Sequence, residues 1–151
     1  MIINDLNSAG AMPTLEKMFL FAGARQRLIA NNIANIDTPG YKMQDVDPLS
    51  FQNALGEAID KRRRGNGGAS GQLDFGRNAQ VRIQGDRMVL NPSSSGTNIL
   101  AHDGNDRDLE RLMQQLVENA TAFRVAADLM RQSQSQLKLA IAQRVLKYLV
   151  R

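Results

Sequence analysis

The sequence predicts a mainly α protein, with N- and C-terminal helices forming an elongated coiled-coil-like hairpin and a small irregular/β middle region. Three observations carry this expectation. Apolar residues recur at alternating four- and three-residue steps near both ends of the chain. The stretch between them loses that period and fills with Gly, Ser, Asn and charge. The C-terminal pattern is also too long for a compact body: 40 residues of helix reach roughly 60 Å, whereas a domain of this size measures roughly 30–35 Å across.

The 151 residues suffice for one domain. Hydrophobic residues make up 42% and charged residues 23%, which is globular rather than disordered composition. The expected divisions are 1–42, an N-terminal helix ending in a turn motif; 43–105, a middle region with a short helix, a flexible basic loop and a hairpin; and 106–151, a long C-terminal helix. Aromatics are only 5% and Trp is absent. Leu, Ile, Val, Met and Ala are therefore expected to supply the packing.

The first helix is read from Leu15, Phe19, Ala22, Gln26, Ile29, Ile33 and Ile36, a heptad seam with Gln26 as its polar member. Thr14 is the expected N-cap after Pro13. The apolar run Met18–Ala24 is too short for a membrane span. With Asp5 and Glu16 upstream and helical spacing running through it, it is not expected to be a cleaved signal. The helix is expected to end near Ile36 or Asp37. Thr38 precedes a proline, Pro39 presets the second position of a turn, and Gly40 supplies positive φ for a type II turn.

In the middle, Asp47-Pro48 reads as an N-cap and first helical position. Phe51, Ala54, Leu55, Ala58 and Ile59 continue at helical spacing. From Lys61 to Gly71 the chain is basic and glycine-rich, and a loop is expected. Val81-Arg82-Ile83 and Met88-Val89-Leu90 alternate around Gln84–Arg87, which predicts a hairpin. Asn91 to Asp106 reads as loop.

The C-terminal seam is read as Leu109, Met113, Leu116, Ala120, Phe123, Ala127, Met130, Gln134, Leu137, Ile141, Arg144 and Tyr148. Asp106 or Asp108 can cap it, with Glu110 in the first turn. The polar run Gln132–Gln136 either breaks the helix or faces a partner that specifies register. This stripe is longer than the first helix can cover. Met130, Leu137, Ile141 and Tyr148 would stay exposed in a monomer, which points to an assembly component.

No catalytic constellation assembles. The chain has no cysteine, which excludes disulfides, Cys-ligated zinc, iron–sulfur clusters and thiol catalysis. His102 is the single histidine, and its neighbours Asp103 and Asp106 suit an Asx-type turn better than a metal site or a general base. Ser93-Ser94-Ser95 lacks a partner base. Gly65–Gly68 lacks the strand and the Gly-Lys-Ser/Thr ending of a phosphate cradle. No cofactor, no metal and no small-molecule substrate are expected. The net charge of +4 is too mild to demand nucleic acid. The run Lys61–Arg64 could neutralise phosphates, but no aromatic is interleaved. A basic helical nucleic-acid-binding regulator is the distant alternative. A hydrolase would need acid–base partners for His102 that the chain does not offer.

Ala30-Asn31-Asn32-Ile33-Ala34-Asn35, running through Ile36-Asp37 into Thr38-Pro39-Gly40-Tyr41-Lys42, resembles the N-terminal signature of the bacterial flagellar axial family of rod, hook and hook-associated proteins. His102–Leu109 resembles the segment that opens the C-terminal helix of a proximal rod member, with Asp106 and Arg107 in place of Asn and Val. Glu118-Asn119 and the short middle region fit the same member; another rod-family subunit is the near alternative. The resemblance covers both ends, and the middle only loosely. The basic Gly-rich loop and the extension from Gln143 to Arg151 depart from it.

The resemblance implies a non-enzymatic subunit of the proximal rod, part of the axial drive shaft that transmits torque. It implies an assembly motif at Asn31, Asn32, Ile33, Asn35, Thr38, Pro39, Gly40 and Tyr41, with asparagines bonding between helices or subunits. Helix packing is expected at Leu109, Met113, Leu116, Phe123, Met130, Leu137 and Ile141. The implied partners are the chain itself, sibling rod proteins, the membrane-ring protein, the rod-base adaptor protein and the flagellar type III export apparatus. The implied place is the basal-body rod on the periplasmic side of the inner membrane, reached without a cleaved signal peptide.

Overall fold

The computed structural model describes residues 10–66, 71, 73–76, 80–84, 87–94 and 108–149. In chain order the elements are α1 (Met12–Ala34), β1 (Gln44–Asp45), α2 (Pro48–Asn66), β2 (Val81–Gln84), β3 (Arg87–Leu90), β4 (Ser93–Ser94) and α3 (Leu109–Leu149). The mainly α class holds, with the strands confined to the middle. None of these helices is long and apolar enough to cross a membrane.

Helix α1 begins before the expected Thr14 cap. Ala11 occupies the N-cap position without a side-chain bond, and Pro13 lies in the first turn. A proline is tolerated there because its missing N–H would have no intrahelical acceptor. The helix stops at Ala34, short of Ile36, and Asn35 takes the C-cap position. The chain leaves through tight turns, with Ile36 N donating to Ile33 O at 3.3 Å and Thr38 N to Asn35 O at 2.9 Å. Tyr41 N then donates to Thr38 O at 3.1 Å, and Gly40 has φ +73°, as the expected type II turn requires.

Asp47 caps α2 as its sequence suggests: its carboxylate accepts from Leu49 N at 3.0 Å and from Ser50 N at 3.1 Å. The basic run is not a loop at its start. Lys61–Arg64 continue α2, which ends at Asn66. Lys and Arg are good helix formers, and Arg63 and Arg64 in the last turn suit the negative end of the dipole. Two side chains tie this end to the body: Lys61 pairs with Asp74, and Arg62 Nη1 donates to Gly10 O at 3.0 Å.

The hairpin forms as expected, antiparallel, with Val81 opposite Leu90 and Gln84 opposite Arg87. A second antiparallel bridge was not expected. Ser93–Ser94, read as loop, pairs with Gln44–Asp45. Two-residue strands are too short to show alternation.

The core lies where α1, α2 and the strands meet. Phe21, Val46, Phe51, Leu55, Ala58, Leu73, Val81 and Met88 are buried together. Phe21 and Phe51 stack with centroids 3.9 Å apart, and Phe75 adds to Phe51 at 5.9 Å. Phe19 and Phe123 form a separate stack at 4.4 Å. So the five phenylalanines of the chain all sit in ring stacks. Apart from Phe21 and Phe51, the buried hydrophobic residues are Leu, Ile, Val, Met and Ala, as expected, and the few rings are concentrated at two points.

Helix α3 is unbroken through Gln132–Gln136. Asp108 caps it, accepting from Arg111 N at 2.9 Å. Asp106, His102 and the rest of the 95–107 stretch lie outside the described residues, as do the glycines at 67–68 and the hairpin tip at 85–86.

Candidate assembly site

Helices α1 and α3 pack side by side and antiparallel. Phe123 stacks on Phe19, and four residues earlier Asn119 reaches Ala22 and Gln26. The buried row on α3 is Leu112, Asn119 and Ala126, spaced by seven. Leu116, Phe123, Met130 and Leu137 lie half-buried beside it. The other expected row, Met113, Ala120 and Ala127, lies one position further along, with Ala120 and Ala127 half-buried. Leu109, Met113 and Ile141 are exposed in the single chain.

Two side chains fix the register of this pair. Asn119 is buried, and its Nδ2 donates to Ala22 O at 2.9 Å and to Gln26 Oε1 at 2.7 Å. The one polar member of the α1 seam thus meets a polar member of the α3 seam, an arrangement that penalises any slip. One turn away, Gly23 faces the ring of Phe123. A β-carbon on Gly23 would lie 3.4 Å from Phe123 Cε2, so the ring crosses α1 where a methyl would just fit.

The asparagine motif closes on itself. Asn32 is fully buried. Its side-chain amide acts as a strand partner for Gln44: Nδ2 donates to Gln44 O at 2.6 Å, and Oδ1 accepts from Gln44 N at 3.1 Å. Tyr41 Oη also donates to Asn32 Oδ1, at 2.9 Å. Asn31 Nδ2 donates to Tyr41 Oη at 3.3 Å. Asn35 Nδ2 caps backwards on Asn31 O at 2.8 Å. Thr38, Pro39 and Gly40 form the exposed turn between them, and Ile33 lies half-buried. These bonds run within residues 31–44, not between α1 and α3. The motif folds the chain back along α1 and delivers β1.

What β1 delivers is Asp45. Its carboxylate receives Arg25 in a two-point fork, Nε to Oδ1 at 3.1 Å and Nη2 to Oδ2 at 2.9 Å. Gln115 Nε2 adds a bond to Oδ2 at 3.0 Å, and Val46 N one to Oδ1 at 2.8 Å. Arg25 is buried. Three segments far apart in the chain therefore meet at one carboxylate: α1, β1 and α3. Sequence reasoning missed Arg25, Asp45, Gln115 and Leu112. The one available signal was Arg25 itself, a charge directly after the apolar run Met18–Ala24.

The comparisons with known proteins fall on this frame. The family described as flagella basal body rod protein matches at residues 22–42, the segment from the Asn119 contact to the end of the turn. The flagellar basal body rod protein FlgB of Bacillus subtilis is 28% identical over 135 residues, covering 88% of this chain and 94% of the relative. FlgB of Borrelia hermsii is 31% identical over 104 residues, 66% of this chain and 71% of the relative. FlgB of Salmonella typhimurium is 28% identical over 105 residues, 67% and 70% of the two chains. Signature, turn geometry and relatives agree, and the chain belongs to the FlgB family of flagellar basal body rod proteins.

Proposed function

We infer that this chain is a structural subunit of the flagellar basal-body rod, working by assembly and not by catalysis. One observation carries the reading: the two terminal helices differ greatly in length. Phe123 lies beside Phe19, so the start of α1 at Met12 falls level with about residue 130. Helix α3 runs on to Leu149, roughly 28 Å further, with no α1 alongside. Leu139 and Ile141 on that stretch are 64% and 46% exposed. Exposed apolar side chains on that stretch favour neighbouring subunits.

In this reading the terminal helices pack against copies of the chain and against sibling rod proteins. The folded turn at 31–44 and the Arg25–Asp45–Gln115 junction keep each subunit stiff, as a shaft that passes torque must be. Helix packing through Met130, Leu137 and Ile141 belongs to this intersubunit role. The family supports a place in the proximal rod on the periplasmic side of the inner membrane, export through the type III apparatus without a cleaved signal, and contacts with the membrane-ring protein and the rod-base adaptor.

The test is a chromosomal deletion complemented by this gene, with electron microscopy of purified basal bodies. The expected result is a non-motile strain whose membrane ring carries no rod, rescued by the full gene and not by one ending at Gln132. Intact rods and swimming in the deletion strain would overturn the reading.

A further inference from the structure

Between α1, α3 and β3 lies an open groove of about 930 Å³. Its floor is apolar, with Phe19, Met88 and Phe123 among the lining residues, and Arg27, Arg87 and Arg124 stand in its walls. All three arginines are exposed, and among the described residues no acidic side chain lines the groove. Among the described residues none of the three has an ion-pair partner. Three guanidiniums of one sign around an open apolar floor suit an occupant that carries apolar side chains flanked by carboxylates.

The same molecule presents such a surface. Helix α3 contains three acidic residues, Glu110, Glu118 and Asp128. At about 100° per residue they fall on one stripe, on the side opposite the buried row Leu112–Asn119–Ala126. All three are exposed. Val117 and Val125 lie on the same stripe, 66% and 49% exposed. Glu118 accepts a bond from Gln114, and Asp128 pairs with Arg131, both on the same helix and exposed. Exposed pairs of this kind are weak and exchange readily for a new partner.

We propose that the arginine-walled groove receives the acidic outer stripe of α3 from a second copy of this chain. Groove and stripe adjoin at Arg124, about 40° around α3 from Asp128, and the contact proposed is head-to-tail, with the groove of one copy taking the stripe of the next. Each subunit keeps one groove and one stripe open for the next, which propagates a chain of subunits. The proposal deepens the rod reading by naming the surface and its occupant, and it rests on that reading for its biological setting.

Sedimentation velocity of the full chain tests it. The wild type should self-associate in a concentration-dependent manner, less so as salt rises. The triple variant Arg27→Glu/Arg87→Glu/Arg124→Glu should associate at least about tenfold more weakly, and so should Glu110→Arg/Glu118→Arg/Asp128→Arg. Mixed in equal amounts, the two should associate again, because each then offers the charge the other needs. All six positions are exposed, and circular dichroism checks that each variant keeps wild-type helicity. A wild type that stays monomeric at millimolar concentration overturns the proposal. So does a variant that associates like the wild type, or a mixture that does not. A deletion strain lacking rods but rescued by the wild-type gene would still uphold the rod reading in any of those cases.

Discussion

Gln26 and Asn119 hydrogen-bond to each other inside an otherwise apolar helix seam, 2.7 Å apart. Asn119 also takes the carbonyl of Ala22. A buried amide with two partners favours one register over its neighbours, because any slip leaves it unpaired. Asn119→Ala should lower stability by about 1–3 kcal/mol, read by urea denaturation. Asn119→Leu should recover part of the loss and still broaden the NMR signals of α1. Sharp wild-type spectra in Asn119→Leu would remove the register role.

Asn32 serves both backbone groups of Gln44. Asn32→Ala removes both of these partners from the Gln44 N–H and C=O, for an expected loss of about 1–3 kcal/mol. Asn32→Asp keeps the acceptor and loses the donor, so it should fall between. Thermal melts of the three proteins give the ranking, and an alanine variant that melts with the wild type would contradict it.

Gly23 separates two expectations that are usually confounded. A glycine inside a helix costs about 0.5–1 kcal/mol relative to alanine. A β-carbon here meets Phe123 Cε2 at an ordinary contact distance of 3.4 Å. Gly23→Ala should therefore be neutral or mildly stabilising, whereas Gly23→Leu should displace the ring and cost about 1–3 kcal/mol. Equal melting temperatures for the two variants would show that the ring has room to move.

Arg25→Met keeps much of the stem but strands Asp45 against Gln115 and Val46. A loss of about 3 kcal/mol is expected. The double variant Arg25→Met/Asp45→Leu should be less destabilised than Arg25→Met alone, since no unpaired charge remains. A double-mutant cycle with no coupling would mean that solvent already screens the fork.

The Asp74 carboxyl is held below its ordinary value of 3.8, first by the hydrogen bond from Lys61 and then by the Gly76 N–H. A depressed folded-state value means that the tether is present above the ordinary carboxylate range and is lost as pH falls through the folded value. The pair is exposed, so the effect on global stability is small. An NMR titration of the Asp74 side chain should show its midpoint rising in Lys61→Ala. An unchanged midpoint would leave the Gly76 N–H as the cause.

The parts of this fold that were legible in the sequence are the locally encoded ones. Asp47-Pro48 and Asp108 cap their helices because a carboxylate reaches N–H groups two or three residues ahead. Thr38–Tyr41 turns because Pro39 fixes φ at the second turn position and Gly40 admits the positive φ at the third. The seam of α3 was half legible. Two heptad readings share Leu116, Phe123, Met130 and Leu137 and differ in the other row. The expected row runs through Met113, Ala120 and Ala127, but the structure buries Leu112, Asn119 and Ala126. The deciding term is a hydrogen bond to α1, which no single-helix pattern contains. The same reason hid Asp45, whose partners lie 20 and 70 residues away, and the β1–β4 bridge. Within the single chain the asparagines of the motif bond to one another, to Tyr41 and to Gln44 of β1.

The antiparallel packing of α1 against α3 has a mechanical consequence. A load directed along the common axis of the two helices tries to slide one past the other. The Phe19–Phe123 stack, the Gln26–Asn119 bond and the Arg25–Asp45–Gln115 fork then resist together, as rivets do in a lap joint, and none can yield before the rest. The same contacts pulled apart sideways would open one after another from an end. The subunit is therefore stiff along its length and weak across it, and its tolerance of force depends on the direction in which its neighbours pull.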